Sequence, residues 1–357
     1  SNHRIRKIDT ARKVTTIAGK GSAGYLDDTA LNTMFNNPTD IALDQEKNIY
    51  VVDSTNNRIR KISVIDGSVS SIAGSDSAGF LDGISSQGAF NTPYYISNIE
   101  NGFLISDQTN YRIRRLDINK EYVTNEVSTF AGTGYKGLVD GAKHLIRFNN
   151  PSGMVVDSQG NTYVADQSNH VIRKIAIDGT ASTFVGTGQA GFLDGGVPIL
   201  SLIPAQFNQP YALAIDASNN IYVSDYANHA IRKISPDGTT VTIAGTGKPG
   251  YLDALGILSM FKNPKGLALD SVGNIYVADS GNHRIRMIDT LGNVSSFAGN
   301  SAGILNGPKD VAKFSSPASL AIDGSNNIYV CDSGNSQIRK INSSGIVSTV
   351  AGVSAGY

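Results

Sequence analysis

Short apolar runs recur along the whole chain, each bounded by Gly, Asn, Asp or Ser. Downstream of Pro264 four of them follow one another: Gly266–Asp270, Asn274–Ala278, Arg284–Ile288 and Val294–Ala298. They are short and rich in β-branched and aromatic residues, and turn formers separate them. That pattern predicts strands rather than helices. The segment Asp270–Asn274, Asp-x-x-Gly-Asn, has the chemistry of a hairpin turn.

The same four runs return at a fixed period. A Tyr-Val-x-Asp string or a variant of it ends the second run at Asp53, Asp107, Asp166, Asp225, Asp279 and Asp332. The steps between these Asp residues are 54, 59, 59, 54 and 53 residues. A proline opens the first run at Pro38, Pro93, Pro151, Pro210, Pro264 and Pro317. The third run carries Arg60, Arg114, Arg173, Arg232, Arg286 or Arg339, and the fourth closes at Gly74, Gly132, Gly186, Gly245, Gly299 or Gly352. Four antiparallel strands per unit, repeated six times, predict an all-β, six-bladed β-propeller of four-stranded blades. A β-solenoid is the weaker alternative, since its coils are shorter. A seventh copy of the last two runs, around Arg6 and Gly19, leaves the strand count half a blade over. A single domain over 1–357 is therefore expected, with an extra hairpin and connection over 1–37 and six full repeats over 38–357. Either terminal hairpin could complete the last blade, and a seven-bladed ring is the alternative. The surplus hairpin also offers a route to self-association, and the missing initial Met suggests a processed chain or a piece of a longer one.

Composition agrees with the strand reading. Of the 30 acidic residues 26 are Asp and only 4 are Glu, and Asp favours turns where Glu favours helix interiors. The formal net charge is zero, which argues against a general nucleic-acid binder or a polybasic membrane-surface protein. Apolar residues make up 40%, well above a disordered composition. No apolar run is long enough for a transmembrane helix. Cys331 is the only cysteine and has no internal disulfide partner.

The repeats also carry a family resemblance. Pro264-Lys265-Gly266-Leu267-Ala268-Leu269-Asp270, then Gly273-Asn274-Ile275-Tyr276-Val277-Ala278-Asp279, resemble the core of NHL repeats. Ser280-Gly281-Asn282-His283-Arg284-Ile285-Arg286 and Ser168-Asn169-His170 are similar to that family's Asn-His element. The resemblance implies a six-bladed propeller that serves as a protein- or RNA-binding platform, with a minority of enzymes.

Residues repeated in every unit read as scaffold. The Asp column at Asp53 is expected to accept N–H bonds from the turn it precedes, and the Arg column to tie hairpins together. His3, His170, His229 and His283 share one repeat position with Asn57, Tyr111 and Ser336; spread over separate blades, they do not converge as metal ligands must. His144 stands outside that position. The connections between units carry Gly-aromatic-Leu-Asp-Gly, as in Gly79–Gly83 and Gly191–Gly195. Their Asp column (Asp27, Asp82, Asp140, Asp194, Asp253, with Asn306) is expected to cap a short turn, and one carboxylate per loop is too few for Ca²⁺. Phe35, Phe90, Phe148, Phe207, Phe261 and Phe314 are expected to anchor the connections. Glu46, Glu100, Glu121 and Glu126 fall in predicted turns. No catalytic set, metal site or cofactor motif stands out.

Departures between repeats carry more information. After the proline the copies read Thr39-Asp40, Tyr94-Tyr95, Ser152-Gly153, Tyr211-Ala212, Lys265-Gly266 and Ala318-Ser319. After the turn Asp they read Ser54, Gln108, Gln167, Tyr226, Ser280 and Ser333. Both places lie at the same end of an antiparallel blade. Blade two, counting from Pro38, departs most: it has Tyr94, Tyr95, Tyr111 and Ile99. Blade four adds Tyr211, Tyr226 and the longest insertion, Gly196–Gln206. The candidate ligand-binding set is Asp40, Tyr94, Tyr95, Gln108, Tyr111, Gln167, Tyr211, Tyr226 and Lys265, because tyrosine offers contact area and a hydroxyl together. The expected function is a non-catalytic module that binds a protein, peptide or glycan, within a larger surface or assembly protein. A structural filament subunit, a propeller hydrolase or lyase, and an RNA-binding domain are the alternatives. The triplets Asn293-Val294-Ser295 and Asn342-Ser343-Ser344 favour an extracellular setting.

Overall fold

Each predicted repeat forms one antiparallel sheet with its four strands in chain order. This is seen in a computed structural model that describes all residues except 1–2, 9–13, 30, 76, 85–86, 119–124, 197–202, 336 and 352–357. Blade four shows the plan: Pro210–Ile215, Ile221–Asp225, Ala230–Ile234 and Thr240–Ala244. Pro210 pairs with Asp225, and Asp225 with Ala230. The strand-one proline therefore sits beside the strand-two Asp, at the end where the connection enters. A bulge follows that proline, and another lies between Ile231 and Arg232.

The fold class is the all-β, six-bladed β-propeller, with mostly four-stranded blades. Among the described residues the helical segments are short 3-10 turns, such as Tyr226–Asn228 between strands two and three. The surplus hairpin, Ile5–Ile8 with Val14–Ala18, forms a two-stranded sheet of its own. Blade six is completed by its own strands, Gln337–Ile341 and Ile346–Ala351. Three blades gain a fifth, two-residue edge strand that the apolar pattern does not announce: Gly83–Ile84, Ala254–Leu255 and Gly307–Pro308. There the incoming connection pairs with strand four and covers its open edge.

The chain divides into two compact units. The first holds the N-terminal hairpin and blades one to three; the second holds blades four to six, with residues 170–172 counted in it. In the first unit Tyr50, Ile59, Phe90, Phe103 and Leu116 share one core cluster, while Ile5 and Ala18 pack with Phe35 and Val51. In the second, Ile231, Phe261 and Val277 form one cluster, and Ile285, Phe314 and Val330 another. All six connection phenylalanines are fully buried, as expected. Glu126 opens a strand, Glu126–Ala131, rather than lying in a turn. Glu121, Ser336 and Gly352 lie outside the described residues.

Candidate functional site

The repeated charges are spent on holding connections to blades. Arg232 is fully buried. Its Nη1 donates to Asp225 Oδ2 at 2.8 Å and to the Gln206 carbonyl at 2.9 Å. Its Nη2 donates to the Leu193 carbonyl at 2.7 Å and to Asp194 Oδ1 at 2.9 Å. Arg60, Arg114, Arg173, Arg286 and Arg339 repeat the arrangement, with Asn306 in place of the connection Asp in blade six. The connection Asp therefore receives a buried guanidinium instead of capping a turn. The strand-two Asp also departs from expectation: Asp53 Oδ1 accepts the N–H of Asn36, in the incoming connection. Burial pushes Asp166 and Asp225 up to about 6, against the pull of Arg173 and Arg232.

The shared His position has a structural role that sequence reasoning missed. These residues adopt the left-handed backbone region, with φ of 50° to 57° at His3, Asn57, Tyr111, His170, His229 and His283. Each described His offers Nδ1 to the N–H of the residue before the next proline. His3 accepts from Asn37 at 3.1 Å, His170 from Gln209 at 3.1 Å, His229 from Asn263 at 3.1 Å and His283 from Ser316 at 3.0 Å. Asn57 does the same with Oδ1 toward Thr92, at 2.9 Å. The period alone carries this signal: the pre-proline residues sit 33 to 39 positions after the acceptor.

At the opposite end of each sheet a second device recurs. Asp216 accepts the Asn220 N–H and Nδ2, at 2.9 and 2.8 Å, and the Tyr222 hydroxyl at 3.1 Å. Asp44, Asp157, Asp270 and Asp323 build the same cage. Blade two replaces all three members, with Ile99, Gly102 and Leu104 at those positions, and its turn is one residue shorter.

With these columns accounted for, the strand-one ends hold the departures. In the first unit, Asp40 Oδ2 accepts the Ile96 N–H at 2.9 Å, and Thr39 Oγ1 donates to the Tyr94 carbonyl at 2.9 Å. Burial pushes the Asp40 carboxyl up to about 7. Tyr95 donates its N–H to Ser106 Oγ at 3.0 Å and packs against the core cluster that holds Leu104, Phe148 and Met154. Burial, then the Asp40 charge, pushes its hydroxyl up. Tyr95 is thus partly a core residue rather than an exposed ring. Tyr111 closes the 3-10 turn Gln108–Asn110 by donating its N–H to the Gln108 carbonyl. Gln167 Oε1 accepts from Asn150 Nδ2 at 2.8 Å. In the second unit, the rings of Tyr211 and Tyr226 lie 6.0 Å apart at 36°, and Lys265 Nζ stands 5.9 Å from the centre of the Tyr211 ring. The structure therefore brings together Asp40 with Tyr94 and Tyr95, and separately Tyr211 with Tyr226 and Lys265. Gln108 and Tyr111 close their own turn, and Gln167 is tied to Asn150 of the incoming connection.

Sheet order defines the class as a six-bladed β-propeller, and the repeated clamps tie each connection to its blade. The pattern of the NHL repeat matches residues 35–62, 207–234, 261–286 and 314–341. Four of the six repeats are thus NHL repeats by pattern. Among curated relatives, it is 28% identical over 327 residues to the chloroplastic protein SUPPRESSOR OF QUENCHING 1 of Arabidopsis thaliana, covering 85% of this chain and 30% of that protein. It is 26% identical over 341 residues to NHL repeat-containing protein 2 of Homo sapiens, covering 85% and 46%. The chain thus spans less than half the length of these relatives. Among solved structures, an auxiliary nutrient binding protein from Bacteroides thetaiotaomicron superposes with TM-score 0.62 at 15% identity, over 94% of this chain and 76% of that one. Virginiamycin B lyase from Staphylococcus aureus does so with TM-score 0.58 at 13% identity, over 91% and 86%. At such identities the likeness concerns the fold alone.

Proposed function

We propose that this chain is a non-catalytic interaction module that takes a protein, peptide or glycan at the strand-one ends of its blades. One observation carries the reading. The acids and bases repeated along the chain are engaged in clamps and cages, while Tyr211, Tyr226 and Lys265 come together where the repeats differ. Half-buried tyrosines suit recognition because they offer area at low entropic cost. The name of the nutrient-binding neighbour is compatible with this use of the fold, and the lyase name marks the alternative. Cross-linked capture from the native source, comparing the intact chain with Tyr211→Ala/Tyr226→Ala and Tyr94→Ala/Tyr95→Ala variants that still fold, tests it. A partner lost only from a variant supports the reading; partners retained by both variants overturn it.

The N-terminal hairpin favours a second reading, an assembly subunit. Its first strand, Ile5–Ile8, pairs on one side only among the described residues. Sedimentation over a wide concentration range tests this. Association that disappears when Ile5 and Ile8 are replaced by Pro supports it, and a monomer throughout overturns it.

A further inference from the structure

We infer that the strand-one ends of blades four and five form an anion-accepting subsite whose ligand is a carboxylate-rich peptide segment. Lys265 supplies the charge, and Tyr211 with Tyr226 supplies the contact surface. The inference rests on the interaction reading and adds the chemistry of the ligand.

Position and charge come first. Six side chains occupy the place directly after the strand-one proline: Thr39, Tyr94, Ser152, Tyr211, Lys265 and Ala318. Lys265 is the only charged one. It is half-buried, and among the described residues its electrostatic partner is the Tyr211 ring rather than a carboxylate. Its ammonium thus has no carboxylate counter-ion of its own among the described residues. Its neighbours do not supply one. Asp225 and Asp279 are each engaged by a buried arginine, Arg232 and Arg286, at 2.8 and 2.9 Å. Lys262 adds a second positive charge three residues earlier, exposed on the same connection, and contributes to lowering the pKa of His229. Lys262 and Lys265 thus stand three positions apart in a chain of zero net charge.

Shape narrows the ligand. The two tyrosine rings, 6.0 Å apart, are inclined at 36° and so do not offer one flat platform. Tyrosine hydroxyls donate to carboxylates, and a lysine ammonium pairs with them as a rotatable point charge. Aspartate and glutamate side chains on an extended segment meet these requirements.

The test uses the full chain and calorimetric titration with three probes of equal length: hexaglutamate, hexaglutamine and hexalysine. Hexaglutamate is expected to bind, with the other two about ten-fold weaker or undetectable, and binding should weaken as salt rises. Lys265→Gln should lose about ten-fold in affinity and most of the salt dependence, while Lys265→Arg retains both. In the protein carrying ¹³C-labelled tyrosine, the Tyr211 and Tyr226 resonances should shift, as assigned by the Phe variants. Equal affinity of Lys265→Gln and the parent overturns the inference, as do shifts confined to Tyr94 and Tyr95. Binding of polygalacturonate in place of hexaglutamate overturns the peptide assignment. A native partner lost from Tyr211→Ala/Tyr226→Ala but kept by Lys265→Gln overturns the anionic subsite alone. A partner kept by both removes the interaction reading beneath it.

Discussion

Asp225 Oδ2 lies 2.8 Å from Arg232 Nη1, and both side chains are fully buried. The same guanidinium grips the connection through Leu193 and Asp194. Removing Asp225 leaves the buried guanidinium with the half-exposed Asp194 as its remaining counter-ion, and breaking a buried pair in this way typically costs about 3–5 kcal/mol. Asp225→Ala is therefore expected to destabilise the chain by that order. Asp225→Ala/Arg232→Met should recover much of the loss, because it buries no lone ion. Urea unfolding of the parent, the single variant and the double variant checks this. A double variant no more stable than the single one would show that the carbonyl contacts of Arg232, rather than the ion pair, hold the connection.

Much of this architecture is legible in the sequence, and the reason is repetition. Six copies of Pro, Tyr-Val-x-Asp and Ile-Arg place strands that one copy would leave ambiguous. The Arg–Asp pairing is legible as chemistry, but its partners are not. Nothing in the local sequence says that Asp194, 38 residues before Arg232, is the second acceptor. The His position is legible as a column and opaque as a device, because its bond crosses to the next repeat. The edge strands Gly83–Ile84 and Ala254–Leu255 are too short for a periodicity to register. Tyr95 and Tyr211 look alike in the sequence. Only packing separates the residue set against the core cluster of Phe148 and Met154 from the one paired with Tyr226.

The histidine bonds make stability depend on pH. A neutral imidazole accepts at Nδ1, and a protonated one cannot. Burial lowers the pKa of His3, His170 and His229. A lowered folded pKa means that the contribution is complete above the ordinary value near 6.5 and is lost as pH falls through the folded value. The histidine bonds should therefore contribute less as pH falls below about 6.5, by about 1 kcal/mol for each broken bond, against the opposite trend of the buried carboxyls Asp40, Asp166 and Asp225. Replacing His170 and His229 by Asn, which Asn57 shows can make the same bond, should reduce the loss. Unfolding midpoints at about pH 7 and pH 5 decide the matter; an unchanged pH dependence in the Asn variants assigns the titration to other groups.

Asp40 has the opposite sign. Its folded value, about 7, lies above the ordinary 3.8, so folding favours the protonated form. The group costs no stability in acid, and the cost grows as pH rises from about 4 to about 7 and is complete beyond. Asp40→Asn keeps an acceptor for the Ile96 N–H and removes the titration. It is expected to be more stable than the parent at pH 8, by about 1 kcal/mol or more, and nearly equal to it at pH 4. Thermal unfolding at both pH values is the measurement. A variant less stable at pH 8 would mean that the ionised carboxylate has a favourable partner there.

The turn cages give a comparison within one molecule. For Asp216, burial alone would raise the pKa, but the Asn220 and Ser218 donors and the Tyr222 hydroxyl outweigh it and hold the carboxyl below its ordinary range. Asp216→Ala leaves Asn220 and Tyr222 without their acceptor and should cost about 1–3 kcal/mol. The loss should be largest at neutral pH and should shrink as pH falls from about 4 through the lower folded value, below which the parent carboxylate is itself protonated. Blade two is the control. Ile99→Asp would set a carboxylate in a turn that offers Gly102 and Leu104 instead of Asn and Tyr, so it gains no cage. A Cβ at Gly102 would also clash with the Leu116 carbonyl, which is why restoring Asn there cannot rescue it. Ile99→Asp is thus expected to destabilise, where an Asp at the same repeat position elsewhere stabilises. Unfolding of the two variants side by side tests both halves. A stabilising Ile99→Asp would show that the carboxylate satisfies turn N–H groups unaided, and that Asn220 and Tyr222 are followers of Asp216 rather than the reason it stays ionised.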